Sequence, residues 1–91
     1  MNNQRRKDIR NAIELMNEAV AALENAKLIL ETASEEEREA YENLPESIQE
    51  SERGSKMYEN CDTIDNVVDS IDTQVSEITD CVDSLENGVL D

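Results

Sequence analysis

One pattern constrains this chain more than any other. Met57, Cys61, Ile64, Val68, Ile71, Val75, Ile78, Val82, Leu85 and Val89 follow alternating steps of four and three without a miss. A period of about 3.5 residues marks a helix with a narrow apolar seam of coiled-coil type. The β-branched residues favour strand, but strict alternation is absent, so the helical period prevails. Asn87-Gly88 then suits a left-handed helix cap, with Val89 folding back on the last turn.

The first half is helical as well, with a broader stripe. Ile9, Met16, Leu23 and Leu30 recur every seventh residue, and Leu44 falls in the same column. Three positions on, Ala12, Ala19, Ala26, Ala33 and Ala40 form an unbroken alanine column, flanked by Leu15, Ala22 and Ile29 on one side and Ile13 and Val20 on the other. Alanines admit a close neighbour, and the two flanks predict two partner helices. Ser34 with Glu37 imitates a capping box, but the heptads run through it.

Pro45 suits a first helical position, with Glu46 favourable beside it, and Gly54 suits a break before a capping Ser55. The sequence therefore predicts an all-α chain forming one domain over 1–91. Helix one runs over about 4–43, a turn with a short helix over 44–54, and helix two over about 55–87. At 1.5 Å per residue each long helix measures roughly 50–60 Å.

So short a connection sends helix two back along helix one. Arg5, Arg6, Lys7 and Arg10 crowd the start of helix one, while Asp83, Glu86 and Asp91 crowd the end of helix two. Each cluster sits at the wrong end of its own helix dipole, and an antiparallel hairpin brings the two together. A hairpin alone leaves part of the broad stripe uncovered. Pairing two hairpins into a four-helix bundle covers it, which predicts a homodimer.

Composition excludes most chemistry. The chain has no His, two Gly, and two Cys, Cys61 and Cys81. There is neither a Gly-rich phosphate loop nor a zinc or Ca²⁺ ligand pattern, and di-iron bundles need Glu-x-x-His motifs that cannot occur here. On one helix Cys61 and Cys81 stand about 30 Å apart, beyond disulfide reach, and read as small helix residues in a reducing cytoplasm. We expect no enzyme activity, no catalytic or metal residues and no cofactor. No run of apolar residues is long enough to span a membrane, and no signal-peptide pattern opens the chain, so a cytoplasmic location is expected.

The informative feature is charge segregation. Twenty-three Asp and Glu against eight Lys and Arg give a net charge of -15, and all eight cations precede Met57. Glu59, Asp62, Asp65, Asp69, Asp72, Glu77, Asp80, Asp83 and Glu86 follow without a counter-charge, then Asp91. A solvated face would explain charge alone, but ordinary coiled coils intersperse Lys. Seven neighbouring acidic pairs three or four apart cost together roughly 1.5–3.5 kcal/mol of helix stability. Nine acids along about 40 Å give one per ~4.5 Å, and a dimer one per ~2.3 Å. Duplex DNA carries one charge per ~1.7 Å. Such a rod fits the groove of a basic nucleic-acid-binding protein. Direct nucleic-acid binding is disfavoured by the small basic cluster, and a membrane role by repulsion from anionic lipid.

Leu44-Pro45-Glu46-Ser47-Ile48-Gln49, followed by Ser51, Arg53-Gly54 and Met57, resembles a segment of small acidic helical proteins from bacteriophages and prophages. The likeness covers about 15 residues of structural punctuation, with similar heptads on each side. It implies a phage protein acting in the host bacterial cytoplasm and carries no site residue. Phage decoys of nucleic acid act against restriction or CRISPR defences. The reading is thus a phosphate-mimicking inhibitor of a host defence protein, an anti-CRISPR type of role. The alternative is a structural or assembly module with a protein partner and no mimicry.

Overall fold

The computed structural model describes Met1–Asp91 and contains helices only. These are α1 (Asn3–Glu42), α2 (Glu46–Gln49) and α3 (Glu52–Ser84), followed by a π-helical turn at Leu85–Val89. The chain divides into two compact units. Met1–Asn25 and Ile71–Asp91 form the first, and Ala26–Ser70 the second. Each unit contains a stretch of both long helices, packed side by side in a hairpin-like arrangement.

In the first unit, Ile13, Ile71 and Val82 are buried. Asn2 caps α1, its Oδ1 accepting the Arg5 N–H at 2.8 Å. Arg6 Nη1 donates to the Leu90 carbonyl at 2.7 Å. The basic start of α1 thus meets the carbonyl that ends the π-helical turn after α3, where the dipole favours a cation.

In the second unit, Ser34, Gly54, Cys61 and Val68 are buried. Ser34 contacts Cys61 and Asp65, and further along α1 Tyr41 meets Tyr58, so the two helices run antiparallel. The Tyr41 and Tyr58 rings are tilted by 59° with centroids 5.8 Å apart, a favourable aromatic geometry.

Every position of the α3 seam from Met57 to Val89 is buried or half-buried. The matching seam on α1 is not the alanine column. Ile9, Met16, Leu23, Leu30, Glu37 and Leu44 alternate with Arg6, Ile13, Val20, Lys27, Ser34 and Tyr41, and all are buried or half-buried. Ala12, Ala19 and Ala40 are exposed instead. The larger side chains fill the space between the helices, and the alanine column lies to the side of it, with Ala26 and Ala33 half-buried.

The turn is tied by its own side chains. Gln49 Nε2 lies 3.1–3.3 Å from the carbonyl oxygens of Tyr41, Glu42 and Leu44 around the end of α1, and the Tyr41 carbonyl also accepts the Leu44 N–H at 3.1 Å. Pro45 precedes α2 rather than opening it, and its carbonyl accepts the N–H groups of Ile48 and Gln49. Ser51 caps α3, donating to the Ile48 carbonyl and accepting the Gly54 N–H at 3.4 Å.

Two glycines depart from the sequence reading. Gly54 lies inside the first turn of α3, which begins at Glu52 rather than Ser55. It is glycine because a Cβ there would overlap the carbonyl oxygens of Ile48 and Gln49. Gly88 makes no left-handed cap, since no residue has positive φ. The helix widens there instead, and the Leu90 N–H reaches the Leu85 carbonyl at 2.9 Å.

Candidate functional site

The one polar side chain sealed from solvent is Ser34, 2 % exposed at the middle of the second unit. It sits in a column of α1 whose other members are apolar or long-stemmed, so its hydroxyl must find a partner between the helices. It donates to Asp65 Oδ1 at 2.7 Å. Arg38 Nη2, one turn further along α1, donates to Asp65 Oδ2 at 2.8 Å. Beneath them the Cys61 thiol lies 3.6 Å from the Ser34 carbonyl. Both oxygens of Asp65 are therefore engaged by α1.

This pairing fixes the charge state of the cluster. The Ser34 hydroxyl, and after it the Arg38 guanidinium, hold the Asp65 carboxyl below its ordinary value of 3.8. The hydrogen bond to Asp65 and its charge raise Arg38 in turn. Such an arrangement aligns two helices and has no proton to give or take near neutrality.

The acidic residues expected to face a partner therefore separate into two kinds. Asp65 is half-buried and bound to α1. Glu59, Asp62, Asp69, Asp72, Glu77, Asp80 and Asp83 along α3, and Glu86 in the π-helical turn after it, are all exposed. The seam faces α1, so the helix turns these carboxylates away from or to the side of its partner.

A second surface was only partly legible in the sequence. Leu15, Leu28 and Ile29 of α1 are 66, 59 and 70 % exposed, and Val67 of α3 is 44 % exposed. Within the second unit Leu28, Ile29, Thr32, Ala33 and Glu36 line a shallow groove. The heptad column of five alanines, flanked by Leu15 and Ile29, is the sequence signal for this face.

No group of three or more His, Cys, Asp or Glu side chains is placed to hold a metal ion. Cys61 is a buried free thiol and Cys81 an exposed one. No helix is long and apolar enough to cross a membrane. No protein-family model, curated protein or solved structure matches the chain.

Proposed function

We propose that the protein is a non-enzymatic, phage-type interaction protein working as a homodimer in the bacterial cytoplasm. Its acidic α3 stands in for nucleic-acid phosphates and blocks a basic nucleic-acid-binding host defence protein. The observation that carries the reading is the segregation of charge. All eight Lys and Arg precede Met57, and eight acidic side chains between Glu59 and Glu86 are exposed. Over about 40 Å this is one charge per ~5 Å, or one per ~2.5 Å in a dimer. That approaches the ~1.7 Å spacing of duplex DNA. Complementary charge of this density accelerates encounter with a basic groove and weakens steeply with salt.

The test replaces Glu59, Asp62, Asp80 and Asp83 with their amides and leaves Asp65 in its pairing. The variant should keep its helicity and lose at least tenfold in competition with DNA or RNA for a basic protein retained from host lysate at low salt. Undiminished competition by the folded variant would overturn the mimicry.

A second reading, an assembly module, is favoured by the exposed Leu15, Leu28 and Ile29. It places affinity on the apolar face of α1 and predicts unchanged partner binding after the four neutralisations. Ile29→Glu then abolishes that binding.

A further inference from the structure

Helix α1 carries two heptad stripes. The inner one packs on α3. The outer one runs from Ala12 to Ala40 in alternating steps of three and four, with alanine at every seventh position and Leu15, Ala22, Ile29 and Glu36 between. Each outer residue stands one place before an inner one, so the outer stripe is turned by about 100° around the helix. A helix in a four-helix bundle has two neighbours, set near a right angle apart. The first is α3, and the outer stripe faces the place of the second.

We propose that this outer stripe of α1 is the homodimer interface, closed by the same stripe of a second copy running antiparallel. The two-fold axis passes between Ala22 and Ala26. The inference rests on the homodimer reading above and names its surface and orientation.

Three observations select a second copy as the occupant. The first is shape. With Ala22 opposite Ala26 of the second copy, Leu15 meets Ala33 and Ile29 meets Ala19, so each large side chain lies against an alanine. The second is charge. Positions 5–13 carry Arg5, Arg6, Lys7 and Arg10 against Asp8 alone, whereas 35–43, which face them in this register, carry five Glu against Arg38 alone. The antiparallel register lays the basic start of each α1 over the acidic end of the other, and a parallel one sets like on like. The third is area. The chain exposes 6501 Å², against about 5,400 Å² for a folded monomer of its mass. The surplus of about 1,100 Å² compares with about 800 Å² hidden per partner in a standard interface.

The test uses the full chain with Cys81→Ser to remove the exposed thiol. Ala12→Cys and Glu36→Cys are made singly, then oxidised alone and as a mixture with copper phenanthroline. The mixture should give a covalent dimer at least tenfold faster than either variant alone, because position 12 of one copy faces position 36 of the other. Ile29→Glu, at a site 70 % exposed in the single chain, should retain helicity and weaken dimerisation at least tenfold by sedimentation. Efficient cross-linking of Ala12→Cys with itself would overturn the antiparallel register. A dimeric mass with no cross-linking in any of these samples would overturn the surface while sparing the homodimer. A monomeric mass of 10.3 kDa at 100 µM would overturn both.

Discussion

Ser34 and Asp65 stand 31 residues apart in the chain, and the Ser34 hydroxyl donates to Asp65 Oδ1 at 2.7 Å. The bond sets the antiparallel register where the seam would otherwise hold an apolar layer. A coiled-coil seam of Val and Ile slides by a heptad at modest cost, because each layer resembles the next. A buried hydroxyl matched to one carboxylate does not, since a slip strands the Ser34 hydroxyl without a partner. Ser34→Ala should therefore lower stability by about 1.5 kcal/mol in urea unfolding. It should also loosen the register, read as more than one interhelix distance between spin labels at exposed sites.

The same pairing dictates an acid response. Asp65 has a carboxyl lowered from its ordinary 3.8 by Ser34 first and Arg38 second. A group lowered on folding contributes stability above its unfolded value and loses it as pH falls through its folded value. The melting temperatures of the unmodified chain and Asp65→Asn should differ by a constant amount from pH 7 to about pH 5. They should converge below the ordinary value of 3.8. A gap that persists unchanged to pH 2.5 would show that the lost carboxylate charge is not the cause.

The two glycines should respond to alanine with opposite signs. Gly54 has the backbone of Ile48 and Gln49 where a Cβ would stand, whereas Gly88 has nothing within 4 Å. Gly54→Ala must push α2 away from the start of α3, at a cost of about 1–3 kcal/mol. That should lower Tm by at least about 5 °C in a domain this size. Gly88→Ala adds a helix-favouring residue in open space and should raise stability by about 0.4–1 kcal/mol. Paired thermal melts by circular dichroism read both changes.

How much of this was legible in the sequence depends on which residues fill each layer. The α3 seam is apolar at every step, so its period is unmistakable. The α1 seam is apolar from Ile9 to Leu23 but has Arg6 before that run and Lys27, Ser34 and Glu37 after it, and a reading based on apolar spacing passes over those layers. It finds the column of Ile9, Met16, Leu23, Leu30 and Leu44 and, beside the other column of the seam, a separate stripe of alanines. Gly54 resembles a helix break because local propensity says so. Its actual constraint, the approach of the α2 carbonyls, comes from residues that touch it only after the chain turns. The half-buried place of Asp65, held by Ser34 and Arg38 while the other acids are exposed, was hidden for the same reason, since Arg38 lies 27 positions away.

Gln49 offers a test of the turn alone. Its side-chain amide ties together the Tyr41, Glu42 and Leu44 carbonyls around the end of α1, so Gln49→Ala should cost about 1 kcal/mol. Amide hydrogen exchange should quicken over 39–44, with little change at the Asn2-capped start of the same helix. Uniform quickening along α1 would mean that the end of α1 does not open separately from the rest of the helix.

Neighbouring acids on α3 should differ in sign according to what α1 places beside them. Asp62 is exposed and lies three positions from both Glu59 and Asp65, where like charges cost about 0.2–0.5 kcal/mol per pair. Asp62→Asn removes both repulsions, which outweigh the weak attraction of Asp62 for Arg38, and should raise Tm at low ionic strength. Asp65→Asn removes like-charge neighbours too, but it also breaks the bond to Arg38 and weakens that to Ser34. It should therefore lower Tm. Salt separates the two causes, because exposed charges are screened within about 10 Å at 0.1 M and close, partly covered pairs much less. From 0.01 M to 0.5 M sodium chloride, the advantage of Asp62→Asn should vanish while most of the deficit of Asp65→Asn remains. Equal effects of the two substitutions, or a stability that falls as salt is added to the unmodified chain, would mean that ion pairs outweigh repulsion along α3. The acidic face would then be a structural network rather than a surface held ready for a basic partner.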